Sequence, residues 1–150
     1  MLFRSSNGAH GDNGIMQIEW GPLMKAGGLD FYCAGHDHDL QHLQITGWPM
    51  SFVGAGAGGQ PVTDMRWDSR GPFSRKVHGF AHFRFTPDLT EVKYVDARDA
   101  KVIHYFTRDN ENRVRVIYTT GRDRATTKPL KTLLGIAESS TKPSTTPAAP

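Results

Sequence analysis

Sulfhydryl chemistry is almost absent from this 150-residue chain, whose one cysteine is Cys33. A lone cysteine excludes an internal disulfide and a four-cysteine zinc site. Set in the apolar run Leu29–Ala34, Cys33 is expected to be a small buried hydrophobe. Long hydrophobic runs are missing too. No stretch approaches the roughly 18–20 apolar residues that a spanning helix needs. Charge of one sign is not in large excess: 18 Lys and Arg face 15 Asp and Glu, for a net charge of +3. Between Arg108 and Lys131 there are seven Lys/Arg against three Asp/Glu. That local basic excess reads as a solvated surface, not as a nucleic-acid site. The Gly54–Gly59 run GAGAGG is followed by no Lys-Ser/Thr pair and no helical pattern, so it reads as a tight turn rather than a phosphate-cradling loop.

What the chain does have is a change of pattern along its length. Leu2–Gly14 is loop-like, rich in Ser, Asn, Gly and Asp. The apolar residues Ile15, Met16, Ile18, Leu23 and Met24 predict helix from about Asn13 to Ala26. Asp12 or Asn13 would cap it, and Pro22 would end it, kink it, or open a second short helix. Leu29–Ala34 reads as a short buried strand. Leu40–Ile45 and Met50–Val53 then read as strands flanking a Thr46–Pro49 turn. Residues 60–77 are expected to be a surface loop.

Gly79–Phe85 alternates strictly, with Phe80, His82 and Arg84 opposite Ala81, Phe83 and Phe85. Thr90–Ala97, Lys101–Thr107 and Arg113–Thr119 follow as strands of a meander. From Glu138 onward Ser, Thr, Pro, Ala and Lys dominate, a composition that cannot build a core. The expected organisation is therefore a domain over 1–119, a lead-in over 120–137 with a short helix near Leu130–Ala137, and a disordered tail over 138–150.

The chemistry-bearing segment is Ala34–Gln41, AGHDHDLQ. It puts His36 and His38 one residue apart at the end of a strand, with Asp37 and Asp39 beside them. Open α/β sheets place ligands at the carboxyl ends of their strands. Imidazoles there suit zinc, iron or manganese, and carboxylates can orient the rings from behind. Gly35 is expected to supply the sharp turn. His42 alternates within LQHLQI and reads as a strand residue, with use as a third ligand the lesser alternative. His78 precedes the first meander strand, where it could border the site, and His82 and His104 read as structural.

YCAGHDHDLQHLQ (Tyr32–Gln44) followed by SFVGAGAGG (Ser51–Gly59) resembles the C-terminal part of a metallophosphoesterase of the purple acid phosphatase-like branch. That branch carries a G-H-D-H-N-L-Q segment and a following S-G-A-G. His78–Phe106 is similar to the family's closing meander, and LFRSSNGAHGDN to one of its loops. The resemblance implies the C-terminal half of an α/β sandwich, mostly strands with one or two short helices. It implies a phosphate monoester substrate, with phosphodiesters or nucleotides as the alternative, and export from the cell. It implies two metal ions (Fe, Zn or Mn), with His36 on one and His38 on the other, and His10 as the group assisting the leaving oxygen. Asp39 stands where the family usually has asparagine. The family's other ligand segments are not in this sequence, so the chain is expected to be a C-terminal fragment that needs the missing N-terminal half of the fold. A binding module built on an incomplete site is the remaining alternative.

Overall fold

A computed structural model of the chain describes residues 13–64 and 70–123. The chain opens with α1 (Gly14–Glu19) and α2 (Gly21–Ala26). Asn13 caps α1 by accepting a hydrogen bond from the Met16 N–H at 3.1 Å. The helical stretch breaks at Trp20, and Pro22 stands in the first turn of α2, where its missing N–H costs nothing. Gly21 is buried because only hydrogen fits there: a methyl would lie 2.9 Å from the Trp48 indole.

Eight strands follow: β1 (Phe31–Ala34), β2 (Leu40–Leu43), β3 (Ser51–Ala55), β4 (Phe73–Arg75), β5 (Gly79–Phe85), β6 (Leu89–Asp96), β7 (Lys101–Asp109) and β8 (Val114–Thr119). They form two four-stranded sheets. The first has the order β1-β3-β2-β4, with β1 and β3 parallel and the other pairs antiparallel. The second is the plain antiparallel meander β5-β6-β7-β8. Alternation along each strand sorts side chains between the layers. Leu40, Val53 and Phe73 face inward and meet Val92, Tyr94, Ile103 and Phe106 of the meander. Leu43 and Phe52 face the other way and pack with Met50 against Met16 and Met24 of the helices and against Trp48.

Polar groups share this interior. His42 Nδ1 lies 2.8 Å from His104 Nε2, and both rings are fully buried. His42 stacks on Phe106 at 3.6 Å between centroids, and His104 on Phe73 at 4.5 Å. The Tyr94 hydroxyl donates to the Gln41 carbonyl. The buried Arg108 guanidinium donates to the Pro49 carbonyl at 2.7 Å and to the Asn112 side chain, and lies 3.4 Å from Asp30 Oδ1.

Three expectations are corrected. Residues 60–77 are not all loop, because Phe73 carries β4 into the core, where it packs on His104 and Tyr94. Cys33 is exposed, not buried. It shares the inward face of β1 with Phe31, but β1 pairs with β3 alone among the described residues. The sandwich is therefore open at that edge, and Cys33 lines a groove with Val53, Ala55, Ala81 and Phe83. For the same reason β1 as a whole is half-buried rather than buried. Phe85, on the same side of the alternation as Ala81 and Phe83, is 70% exposed at the end of β5, stacked against Phe83. The Leu130–Ala137 helix and the 138–150 tail lie outside the described residues.

Gly56 gives the tightest close approach near the β1 and β3 ends. A methyl there would sit 2.1 Å from the Asp37 carbonyl oxygen, which is backbone and has no rotamer to escape into. Gly56→Ala is expected to lower urea stability by about 2 kcal/mol or more, as backbone overpacking does. The same substitution at Gly58, where nothing lies within 4 Å, should change it little. Equilibrium unfolding followed by circular dichroism compares the two.

Candidate metal centre

Parallel pairing explains why two loops meet. Ala34 of β1 is in register with Gly54 of β3, so both strands deliver their C-terminal loops to the same end of the sheet. The loop after β1 is tight: the Asp37 N–H donates to the Gly35 carbonyl at 3.0 Å, and the Asp39 N–H to the Asp37 carbonyl at 2.9 Å. The loop after β3 clamps it. The Gly56 N–H reaches the Asp39 carbonyl at 3.2 Å, and the Thr63 N–H reaches the His38 carbonyl at 3.1 Å.

The sharp turn falls on His36, not on Gly35. His36 has φ of 75°, in the left-handed region that disfavours a side chain, whereas Gly35 has no positive φ. A residue holding that conformation is paid for by its surroundings, and such strain gathers at functional positions.

The four residues occupy distinct levels. His36 is exposed and His38 half-buried, while Asp37 and Asp39 are buried beneath them. His38 Nδ1 lies 2.9 Å from the Pro61 carbonyl oxygen. A carbonyl can only accept, so Nδ1 carries a proton, and in the neutral ring the lone pair then falls on Nε2. That is the tautomer a metal-binding imidazole needs, and here a backbone carbonyl rather than an aspartate sets it.

Asp39 Oδ1 accepts from Gln41 Nε2 at 2.6 Å, while its Oδ2 is buried with no hydrogen-bond partner among the described residues. Burial pushes the Asp39 carboxyl up to about 7. The Gln41 bond pulls it down, the Asp37 charge pushes it up, and His38 pulls it down. Two buried carboxyls under two histidines make a place where a cation would relieve unfavourable desolvation.

These residues fit part of a metal site and not the whole of one. Among the described residues, no group of three or more His, Cys, Asp or Glu is arranged to hold an ion. His42 is not available as a third ligand, since the core uses both of its nitrogens. His78 Nδ1 donates to the Ala57 carbonyl at 3.2 Å, beside the clamping loop but in no cluster with His36 and His38. His82 lies exposed on the outer face of the meander. His10 lies outside the described residues. Pro61, which shapes the loop from 23 positions away, was not singled out from the sequence, whereas Gly56 belongs to the Gly54–Gly59 run that the sequence reads as a tight turn. Only a fold that pairs β1 with β3 gives them their roles.

The two sheets and short helices match part of a metallophosphoesterase fold. The solved structure described as "GAP50 the anchor in the inner membrane complex of Plasmodium" superposes with a TM-score of 0.58 at 19% identity. The match covers 81% of this chain and 36% of that one. In sequence, the chain is similar to purple acid phosphatase 17 of Arabidopsis thaliana, at 34% identity over 96 residues. That similarity covers 61% of this chain and 28% of the length of the plant protein. No protein-family profile matches the chain.

The φ of His36 makes a direct prediction. His36→Gly should be more stable than His36→Ala by about 1 kcal/mol, because only glycine occupies the left-handed region freely. Urea midpoints of the two variants measure the difference, and equal midpoints would show that the turn does not depend on this residue.

Proposed function

We propose that this chain is the C-terminal portion of a two-metal phosphoesterase that hydrolyses phosphate monoesters in the manner of an acid phosphatase. The observation that carries the reading is the G-H-D-H loop at the carboxyl end of a parallel strand pair. Its His38 donates from Nδ1 to the Pro61 carbonyl, which leaves Nε2 as the ring nitrogen open to a ligand, and the adjacent Asp37 and Asp39 are buried. The similarity to the plant phosphatase supports it.

In this reading His36 and His38 each give one ligand to a different ion. Such a pair of ions, when bound, withdraws charge from the phosphoryl group and supplies hydroxide at neutral pH. The chain's own residues do the rest. The Pro61 carbonyl holds the His38 proton on Nδ1 and so aims Nε2. The left-handed turn at His36 lets two imidazoles one residue apart diverge without a fully extended backbone between them. Asp37 and Asp39 lie buried beside the rings, where a bound cation would favour their ionised forms. His10, carried over from the family resemblance, donates a proton to the departing oxygen.

The remaining ligands come from polypeptide beyond these 150 residues, packed on the open edge of β1. The exposed inward-facing Cys33 and the half-buried β1 support this. A second reading has its own observation. The described residues hold no complete ligand cluster, and a structure with this fold is described as an anchor, so a binding role is the competing account. A phosphodiester or nucleotide substrate is the variant within the enzymatic reading.

Two measurements decide between them. The complete protein is expected to release phosphate from an aryl phosphate only when loaded with metal. His36→Ala and His38→Ala should each lower kcat/KM by about 100-fold or more, on the scale of metal-site disruption. Unchanged activity in both variants would remove the assignment. Metal analysis of the 150-residue chain after gel filtration should give well under one equivalent, and a stoichiometric ion would show that the site is complete without further chain.

A further inference from the structure

The buried pair His42–His104 takes no part in the proposed chemistry, yet it lies where β2 of the first sheet meets β7 of the second. Its protons can be assigned from its neighbours. Gln44 Nε2 lies 3.0 Å from His42 Nε2 and also donates to Ser51 Oγ. An amide N–H only donates, so His42 Nε2 accepts. His42 then carries its proton on Nδ1 and donates it across 2.8 Å to His104 Nε2. His104 holds its own proton on Nδ1, directed toward the Tyr118 backbone without reaching hydrogen-bond geometry. The relay runs one way, and every nitrogen in it that can accept a proton is already accepting a hydrogen bond.

Among the described residues, no carboxylate contacts the pair to compensate an added charge. The segment just after β2 presents Gln44, β3 presents Ser51, and β4 presents Phe73. β6 presents the Tyr94 phenol, which burial holds well above its ordinary pKa and therefore neutral. Asp39 reaches the site only through its field on Tyr94. β7 adds Phe106 and Arg108, whose guanidinium stands 3.5 Å from the Ser51 hydroxyl and brings more positive charge. β8 adds the Tyr118 backbone.

We propose that His42 and His104 form an acid-operated latch between the two sheets: neutral, they fasten β2 to β7, and protonated, they release β2 together with the His36–Asp39 loop that leads into it. A proton on His104 Nε2 would face the His42 N–H head-on. A proton on His42 Nε2 would face the Gln44 amide. Either one breaks the relay in a place with no counter-ion. The site loop follows because Asp39 is tied to Gln41, and the Gln41 carbonyl is tied to Tyr94. The latch does not depend on whether that loop binds metal.

Burial lowers the His104 pKa from 6.5 to about 4. Burial, with the neighbouring His104 adding to it, lowers His42 well below its ordinary value. Between about pH 6.5 and 4 the unfolded or released chain therefore binds protons that the closed form refuses. Closure is complete above that window and weakens as pH falls through it, by up to about tenfold per pH unit for each ring.

The test uses the full 150-residue chain. Histidine ring NMR signals should show His42 and His104 neutral at pH 6, where a free imidazole is largely protonated. Amide protection factors at residues 36–43, which remove the intrinsic pH dependence of exchange, should fall as pH drops from 6 to 4, more than those at residues 91–95 of the meander. In urea titrations at pH 7, 6 and 5, His104→Gln and His42→Gln should each flatten the rise of the unfolding constant with acid relative to the unaltered chain. That slope is readable even where the variant is less stable. The latch is overturned if the two rings protonate near 6.5 while the His42–Phe106 contact persists, or if both variants keep the original slope. If neither variant folds, the ring titration and exchange of the unaltered chain decide alone.

Discussion

Everything in this fold depends on what β2 carries into the interior. All four of its residues are buried, because it is paired on both edges and covered on both faces. A strand so placed would ordinarily be apolar throughout. This one brings Gln41 and His42, so the surrounding strands must supply polar partners or the sandwich does not close. Tyr94 answers the Gln41 carbonyl, His104 answers His42, and Gln44 and Ser51 complete the relay. These partners come from β3, β6 and β7 and from the segment just after β2, which makes the polar set a register device for the whole molecule. A one-residue slip of the meander against the first sheet would leave several of these groups buried and unpaired.

The loop at the sheet end inherits this order. Asp39 starts where β2 starts, and its hydrogen bond to Gln41 joins the loop to the same interior. From the other side the β3 loop contributes the Pro61 carbonyl and the close approach at Gly56. The histidine pair is thus held by backbone on one side and by a buried amide on the other. The shape of this loop is therefore set by the fold around it.

Much of the architecture was legible in the sequence because it follows from periodicity. The strict alternation of Gly79–Phe85 and the three strands after it became β5 to β8 within two residues at each end. The break at Pro22 and the cap at Asn13 were legible because each acts through a neighbour a few positions away. The failures share the opposite cause. β4 is three residues long in a polar stretch, and only its stacking on His104 and Tyr94 makes Phe73 a core residue. The partnership of His42 with His104 spans 62 positions and has no local signature. At the candidate site, the G-H-D-H motif falls in the loop after β1, the element that the sequence placed before it. The left-handed turn was assigned to Gly35 on propensity, and the packed loop put it on His36 instead.

Cys33 ends up with an unusual double character. Its strand position directs it inward, yet solvent reaches it because nothing among the described residues pairs with the outer edge of β1. Partial burial raises its pKa, so the thiolate is scarce at neutral pH and the group is a slow nucleophile. A slow but reachable thiol is a gauge of occupancy. Any polypeptide that seats itself along this flank would seal the sulfur from alkylating reagents, and the fraction left unlabelled would count the closed molecules directly.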